Sequence, residues 1–314
     1  MRVVNPQKKL LNLFWKKWWT NRLMKKQAFL ILASNLGEQV IKLIENLAIE
    51  ENFDVFIHVD KKIGNINKST LKKFKNVFFI DRIRTDWASF SLVDAELKLL
   101  KKAVMTSDYS YIHLLSGSDL PLKSNAEIIE CFKNETRQFV DFEEINTYKI
   151  KKRIDYYYPL QKFAGKKRGI VWVLQKIGVV VQKVLNINRT KNIQNLNFAK
   201  GSQWFSITGE FAKFILKDSL GIINILKHGQ TVDELLVQTV LLNSPFIKDV
   251  SELQYGNLRF IKWKERDINS PEILTIKDLD KLQNTNKLFA RKFDETIDKK
   301  IVESILKERN NSND

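Results

Sequence analysis

From Ala28 to Gly117 short apolar runs alternate with longer amphipathic stretches, and this alternation narrows the fold more than any other feature of the chain. AFLILAS at Ala28–Ser34 is an apolar run ending in small residues, a helical pattern follows from Leu36 to Ile49, and DVFIHVD at Asp54–Asp60 repeats the run and ends in an acid. That is a β-α-β unit. NVFFI at Asn76–Ile80 predicts a third strand, Leu92–Met105 a helix and YIHLLSG at Tyr111–Gly117 a fourth strand. Strands and helices alternating at this spacing imply a Rossmann-type α/β fold, a mostly parallel sheet flanked by helices on both faces. Ligands of such sheets bind beyond the carboxyl ends of the strands. By that rule Ser34, Asn35, Asp60, Lys61, Ser116, Gly117, Ser118 and Asp119 share one rim.

The second half is less regular. QFVDFEE at Gln138–Glu144 reads as a strand, GSQWFSIT at Gly201–Thr208 as another and LRFIKW at Leu258–Trp263 as a late one. Helices are expected over Glu210–Leu216 and Asp233–Leu242, with charged helices after Asp278. Only 5 Pro and 11 Gly occur in 314 residues and no linker stands out, so the expectation is one compact domain over 27–314.

The net charge of +17 predicts an anionic partner, and it is local. Residues 1–26 carry eight basic side chains and no acid, while Thr147–Asn192 carries twelve and a single acid, Asp155. Those segments hold +8 and +11, which leaves the rest at −2. Both interleave cations with large apolar groups: Phe14, Trp15, Trp18 and Trp19 in the first, and Ile170, Trp172, Leu174, Ile177 and Val181 in the second. Such a basic amphipathic helix can lie in a lipid headgroup layer. The same pattern also fits a helix that packs its apolar stripe on the domain and solvates its charges. We therefore expect a basic membrane-associating leader at 1–26 and a basic helical insert at about 160–192. No run approaches the ~18 apolar residues of a membrane span, and no signal-peptide pattern opens the sequence. The lone Cys131 excludes an internal disulfide and a zinc-finger framework. Together these place the expected protein in the cytoplasm, peripheral on the inner face of the cell membrane. No helix-turn-helix, ribonucleoprotein or zinc-finger signature accompanies the charge, so nucleic acid is not the expected partner.

Several common chemistries are missing from the sequence. There is no Walker loop, no GxGxxG after the first strand, no HExxH and no GxSxG. Two of the three histidines, His58 and His113, fall inside expected strands, where packing is the ordinary role. No His, Cys or carboxylate cluster has metal-ligand spacing, so no metal is expected. The one Asp-x-Asp, Asp278-Leu279-Asp280, lies near the C-terminus and far from the strand ends.

FIHVDKK at Phe56–Lys62, WASFSLVDAELKLL at Trp87–Leu100, YIHLLSGSDLPLKS at Tyr111–Ser124, KGSQWFSIT at Lys200–Thr208, DELLVQTVLLNSPF at Asp233–Phe246, LRFIKW and LFARKFD at Leu288–Asp294 follow one another in a familiar order. Over about residues 28–294 the chain resembles the core-2/I-branching β-1,6-N-acetylglucosaminyltransferases and peptide O-xylosyltransferases, glycosyltransferase family 14. The resemblance implies a GT-A-like fold and an inverting, metal-independent transfer from a UDP-sugar. It implies Glu234, after Asp233, as the general base, because a carboxylate must take the acceptor hydroxyl's proton. It implies Lys292 as the cation that meets the leaving diphosphate. The family also uses an upstream arginine; Asn269 stands at that position, with Arg291, Arg266 and Lys264 as possible replacements. Ser34, Asp60, Lys61, Trp87, Ser118, Asp119, Trp263 and Arg291 are the implied donor side. Glu143, Glu144 and Arg153, with Asp233, are the implied acceptor side.

The animal members are anchored lumenal proteins with disulfides. This chain has neither, so the expectation is a bacterial-type enzyme that moves N-acetylglucosamine to a lipid-linked exopolysaccharide or capsule intermediate. UDP-xylose, UDP-glucose or UDP-galactose as donor, or a non-catalytic anionic-surface-binding protein, are the alternatives.

Overall fold

The computed structural model describes residues 25–164, 169–252, 255–263 and 270–311. Strand β1 (Gln27–Ala33) leads to helix α1 (Glu38–Ala48), β2 (Phe53–Val59), β3 (Val77–Phe79), α2 (Phe90–Thr106), β4 (Tyr111–Ser116), β5 (Asp119–Pro121) and α3 (Asn125–Phe132). Next come β6 (Glu144–Ile145), α4 (Tyr148–Ile154), α5 (Gln161–Ala164), α6 (Ile170–Val184), β7 (Ala199–Lys200) and β8 (Ser206–Thr208). The chain continues through α7 (Gly209–Lys217), α8 (Ile222–Leu226), α9 (Leu236–Leu242), β9 (Arg259–Ile261), α10 (Leu279–Gln283), β10 (Phe289–Arg291) and α11 (Lys299–Asn311).

Five strands form the central sheet in the order β3-β2-β1-β4-β8. Its pairs are parallel except β4 with β8. The order reverses between β1 and β4, so the topological switch point falls beside Ser34 and Ser116, where sheets of this kind take their ligands. Because β8 runs against β4, the residues entering it, Gln203 to Phe205, arrive on that same rim.

Both sheet faces are covered, which is why the strands are apolar throughout. Phe29 and Ile31 of β1 pack with Leu43, Leu47, Ile301 and Ile305 from α1 and α11. Ala28 and Leu30 face Val93, Leu100 and Phe211 from α2 and α7. Each fully buried Phe, Leu or Ile contributes roughly 1.5–3 kcal/mol relative to exposure. His113 fits this core as a packed polar group: its ring nitrogens meet Ser206 Oγ at 2.8 Å and Gln27 Oε1 at 3.0 Å. Burial holds its pKa well below the ordinary value. His58 Nε2 likewise accepts from the Ile83 amide at 3.1 Å.

A second sheet, β5-β10-β9, stands at the rim. Buried Arg259 clamps it to the central sheet, donating through Nη2 to the Leu114 carbonyl at 3.0 Å and through Nη1 to Ser206 Oγ at 2.9 Å. Gln39 at the start of α1 ties in the late chain, donating to the carbonyls of Gly117 at 3.0 Å and Phe293 at 3.3 Å.

Three expected elements differ. Gln138–Glu144 makes isolated bridges at Gln138 and Phe139 in place of a full strand, because its backbone amides are divided among the carbonyls of Asp249, Ser206 and Lys200. The strand expected from Gly201 starts at Ser206; Gly201 donates to the Glu234 carbonyl at 3.0 Å, outside any ladder. The helix expected from Asp233 begins as a 3₁₀ turn, Val232–Glu234, before α9. Asp278 of the Asp-x-Asp closes a capping box with Thr275 and pairs with Lys262 at 2.9 Å. Most of the expected leader, residues 1–24, lies outside the described residues, as do Lys166, Lys167 and Arg168 of the insert; Lys25 and Lys26 pair with Asp108 and Asp54.

Candidate active site

The 3₁₀ turn Val232–Glu234 brings the Asp233-Glu234 pair to the rim beside α2. It is held there by a hydrogen bond from the Thr231 amide to the Ala88 carbonyl at 2.8 Å. Both residues take left-handed backbone, an uncommon conformation that surrounding contacts must hold in place. Arg153, from the last turn of α4, donates Nη1 to Glu234 Oε2 at 2.8 Å and to the Thr231 carbonyl at 3.2 Å. Lys200 Nζ of β7 stands 3.8 Å from the same Oε2 and pairs with Glu143. Both cations meet one oxygen of a carboxylate whose side chain keeps 34% exposure. The arrangement fixes the carboxylate in an orientation and leaves Oε1 open.

Behind this corner lies a buried acidic pair. Glu96 of α2 is fully buried, accepting from Gln203 Nε2 at 3.4 Å. Burial pushes its carboxyl up to about 8, with Asp233 adding to the rise. Asp233 is raised to about 7 by burial and by the charge of Glu234. Asp233 Oδ1 and Glu96 Oε1 are buried without a hydrogen-bond partner.

On the opposite side of the rim, Asp119 is fully buried and accepts from the amide and hydroxyl of Ser116 at 2.8 and 2.6 Å. Its strand neighbour Arg291 places Nε 3.6 Å from Asp119 Oδ1 and lies over the Trp204 ring at 4.1 Å. Nε and Nη1 of Arg291 are buried and have no hydrogen-bond partner, and burial lowers its pKa. Lys292 follows, its carbonyl accepting from Leu274 at 2.8 Å while the next amide bonds to Ser118. Thus Ser118, Asp119, Arg291 and Lys292 are brought together on this side of the rim.

Asp60 is buried at the end of β2, where its Oδ2 accepts from Thr85 Oγ1 at 2.7 Å and Oδ1 from the Lys62 amide at 2.9 Å. Burial raises its pKa, but these bonds and the Lys62 charge outweigh it and hold it below the ordinary value. Lys61 is exposed beside it, and Ser34 ends β1 one strand away. Trp87, two residues after Thr85, is 46% exposed. Trp263 is half-exposed, bridged to Pro271 after β9. Glu144 turns away, accepting from Thr147 Oγ1 at 2.6 Å and pairing with Lys149. Lys264, Arg266 and Asn269 lie outside the described residues. Among the described residues no three His, Cys, Asp or Glu side chains converge to hold a metal ion.

The sequence reading did not single out Lys200, Trp204 or Glu96. Glu96 had a signal: Val93, Glu96, Leu100 and Ala103 share one face of α2, so a carboxylate sits in the apolar stripe.

A mostly parallel sheet with helices on both faces, a switch-point rim and a second small sheet define a GT-A-like glycosyltransferase fold. The chain belongs to the Core-2/I-Branching enzyme family, glycosyltransferase family 14, whose family model matches residues 27–283. A human β-1,3-galactosyl-O-glycosyl-glycoprotein β-1,6-N-acetylglucosaminyltransferase is 25% identical over 86% of this chain and 66% of its own length. The Arabidopsis thaliana β-glucuronosyltransferase GlcAT14A is 24% identical over 74% of this chain and 52% of its own. The xylosyltransferase sqv-6 of Caenorhabditis briggsae is 23% identical over 88% of this chain and 36% of its own. The chain therefore spans two thirds or less of the length of these curated relatives.

Proposed function

We propose that the protein is an inverting glycosyltransferase that moves N-acetylglucosamine from UDP-N-acetylglucosamine to a hydroxyl of a lipid-linked glycan, without a metal ion, at the inner face of the cell membrane. The observation that carries this reading is the Glu234 carboxylate, held through Oε2 by Arg153 with Lys200 nearby. In this role Oε1 takes the proton of the acceptor hydroxyl as that oxygen attacks the anomeric carbon. The bond to UDP breaks on the opposite face, and the electron pair leaves with the diphosphate. Charge growing there is met by Lys292 and by Arg291, whose Nη1 has no hydrogen-bond partner, because a fixed cation in a dry site stabilises that charge strongly. Arg291 thereby takes the part of the cation that Asn269 lacks. The rim carboxylates Asp60 and Asp119 are already tied to Lys62, Thr85, Ser116 and Arg291, which favours cationic side chains over a metal as the diphosphate's partner. Glu143 and Arg153 border the acceptor side. N-acetylglucosamine is favoured as donor sugar because the human relative is named for its transfer.

The test is a panel of UDP-N-acetylglucosamine, UDP-xylose, UDP-glucose, UDP-galactose and UDP-glucuronic acid, measured by calorimetry with EDTA present. UDP-N-acetylglucosamine should bind most tightly, and Glu234→Gln should keep that binding while losing transfer. Preference for another sugar overturns the donor, binding that needs added Mn²⁺ overturns metal independence, and near-normal turnover in Glu234→Gln overturns the base.

A further inference from the structure

Helix α6 is mounted inside out. A surface helix of a globular protein ordinarily turns its apolar stripe inward and its polar side to water. In α6, Ile170, Leu174, Ile177, Val181 and Val184 recur at alternating spacings of four and three, so they line one face. That face points away from the protein: Ile170 is 77% exposed and Val184 75%, with Leu174, Ile177 and Val181 each about half exposed. The side turned inward carries Val179 and two glutamines. Gln175 is buried and donates to Gln161 Oε1 at 2.6 Å, while Gln182 accepts from the Tyr157 amide at 2.7 Å and donates to the Tyr157 carbonyl at 3.0 Å. These side-chain bonds fix which way the helix faces, so the outward aliphatic stripe is a built feature of the fold.

We propose that this face of α6 inserts into the headgroup and upper acyl layer of an anionic lipid bilayer and seats the protein on the membrane. Charge selects the occupant. The stretch from Thr147 to Asn192 holds twelve basic residues and one acid, and Lys176 and Lys183 lie on the helix itself. A partner helix in a coiled coil would call for mixed charges beside the stripe, whereas a surface of phosphate headgroups calls for cations alone. Among the described residues no helix is long and apolar enough to cross a membrane, so α6 lies in the interface.

The helix is also coupled to the site. Gln161, which holds Gln175, donates to the Trp87 carbonyl at 3.2 Å and accepts from Gln230 at 2.8 Å. The Gln230 amide in turn bonds to the carbonyl of Arg153, the partner of Glu234, at 2.9 Å. A bilayer holding α6 thus sits a few hydrogen bonds from the acceptor side. This serves the membrane-borne acceptor proposed above but stands on the helix itself.

The test uses the full chain and no sugar, so failure of the transferase reading leaves it intact. Val181→Cys in a Cys131→Ser background is labelled with an environment-sensitive dye and mixed with vesicles of phosphatidylcholine, with and without phosphatidylglycerol. A blue shift with phosphatidylglycerol vesicles is expected, and its absence overturns the proposal whatever residues 1–24 do. In co-sedimentation, Leu174→Asp with Ile177→Asp should weaken vesicle binding by about tenfold or more, since two apolar anchors become charges. Melting temperature and UDP-sugar hydrolysis should be unchanged. Equal vesicle binding by this variant overturns the proposal. So does a wild-type dimer that the variant abolishes, if neither protein binds vesicles, because a second copy then covers the stripe.

Discussion

The amide of Gly201 donates to the carbonyl of Glu234 at 3.0 Å, tying the approach to β8 to the turn that presents the rim carboxylate. A Cβ at residue 201 would stand 1.8 Å from the Asp141 carbonyl oxygen, so only glycine lets the two segments come this close. Gly201→Ala should therefore destabilise the fold by roughly 1–3 kcal/mol, as overpacking does, and reduce transfer by displacing Glu234. Urea unfolding and initial rates check both, and an alanine variant as stable and active as wild type would show that the contact relaxes freely.

Arg153 orients Glu234 from α4, so Arg153→Gln should lower kcat by about 10–100-fold while leaving UDP-sugar affinity unchanged, since the donor side lies across the rim. Calorimetry with the donor and steady-state kinetics separate these effects. A loss confined to donor binding would reassign Arg153.

Arg291 combines a buried guanidinium over Trp204 with an Nη1 that has no hydrogen-bond partner. Lysine keeps the charge near Asp119 but loses the planar fork and the stacking, so Arg291→Lys should weaken UDP binding on the order of tenfold. Titration calorimetry measures it directly, and unaltered affinity would remove Arg291 from the donor side.

Glu96 gives stability a pH slope. Burial carries its pKa from the ordinary 4.5 to about 8. Between those values the folded state holds a proton that the unfolded chain has released, so stability falls as pH rises through that window and is unaffected by this group below it. Asp233, raised from 3.8 to about 7, contributes a slope of the same sign. Glutamine needs no proton, and the groups facing it, Gln203 and Asp233, remain. The stability advantage of Glu96→Gln over wild type should grow by roughly 1–3 kcal/mol between about pH 5 and 8. Urea unfolding at both ends of the window checks this, and a constant difference would mean that Glu96 is ionised throughout.

The rim was legible because strand ends announce themselves: Ser34, Asp60 and Ser116 each close an apolar run, and the alternation of strands and helices aligned those ends. The sheet also owes its two-sided apolar strands to a rule readable from the chain. Contacts across long separations were not legible. Arg153 and Glu234 lie 81 residues apart and Glu143 and Lys200 lie 57 apart, and nothing in local patterning couples them. Glu96 was visible as an acid in an apolar stripe, but its approach to Asp233, far along the chain, was not. In α6 the period revealed an amphipathic helix, while the direction of the stripe was set by Gln175 and Gln182, whose partners come from Gln161 and Tyr157.

Gln39, at the beginning of the first helix, is bonded to Phe293 and Glu295 across 254 and 256 residues. During synthesis the ribosome releases the β1–β4 half of the sheet long before these partners emerge. A growing chain thus carries a rim whose Asp119 still waits for Arg291, and the second sheet closes only when the last part of the fold is delivered.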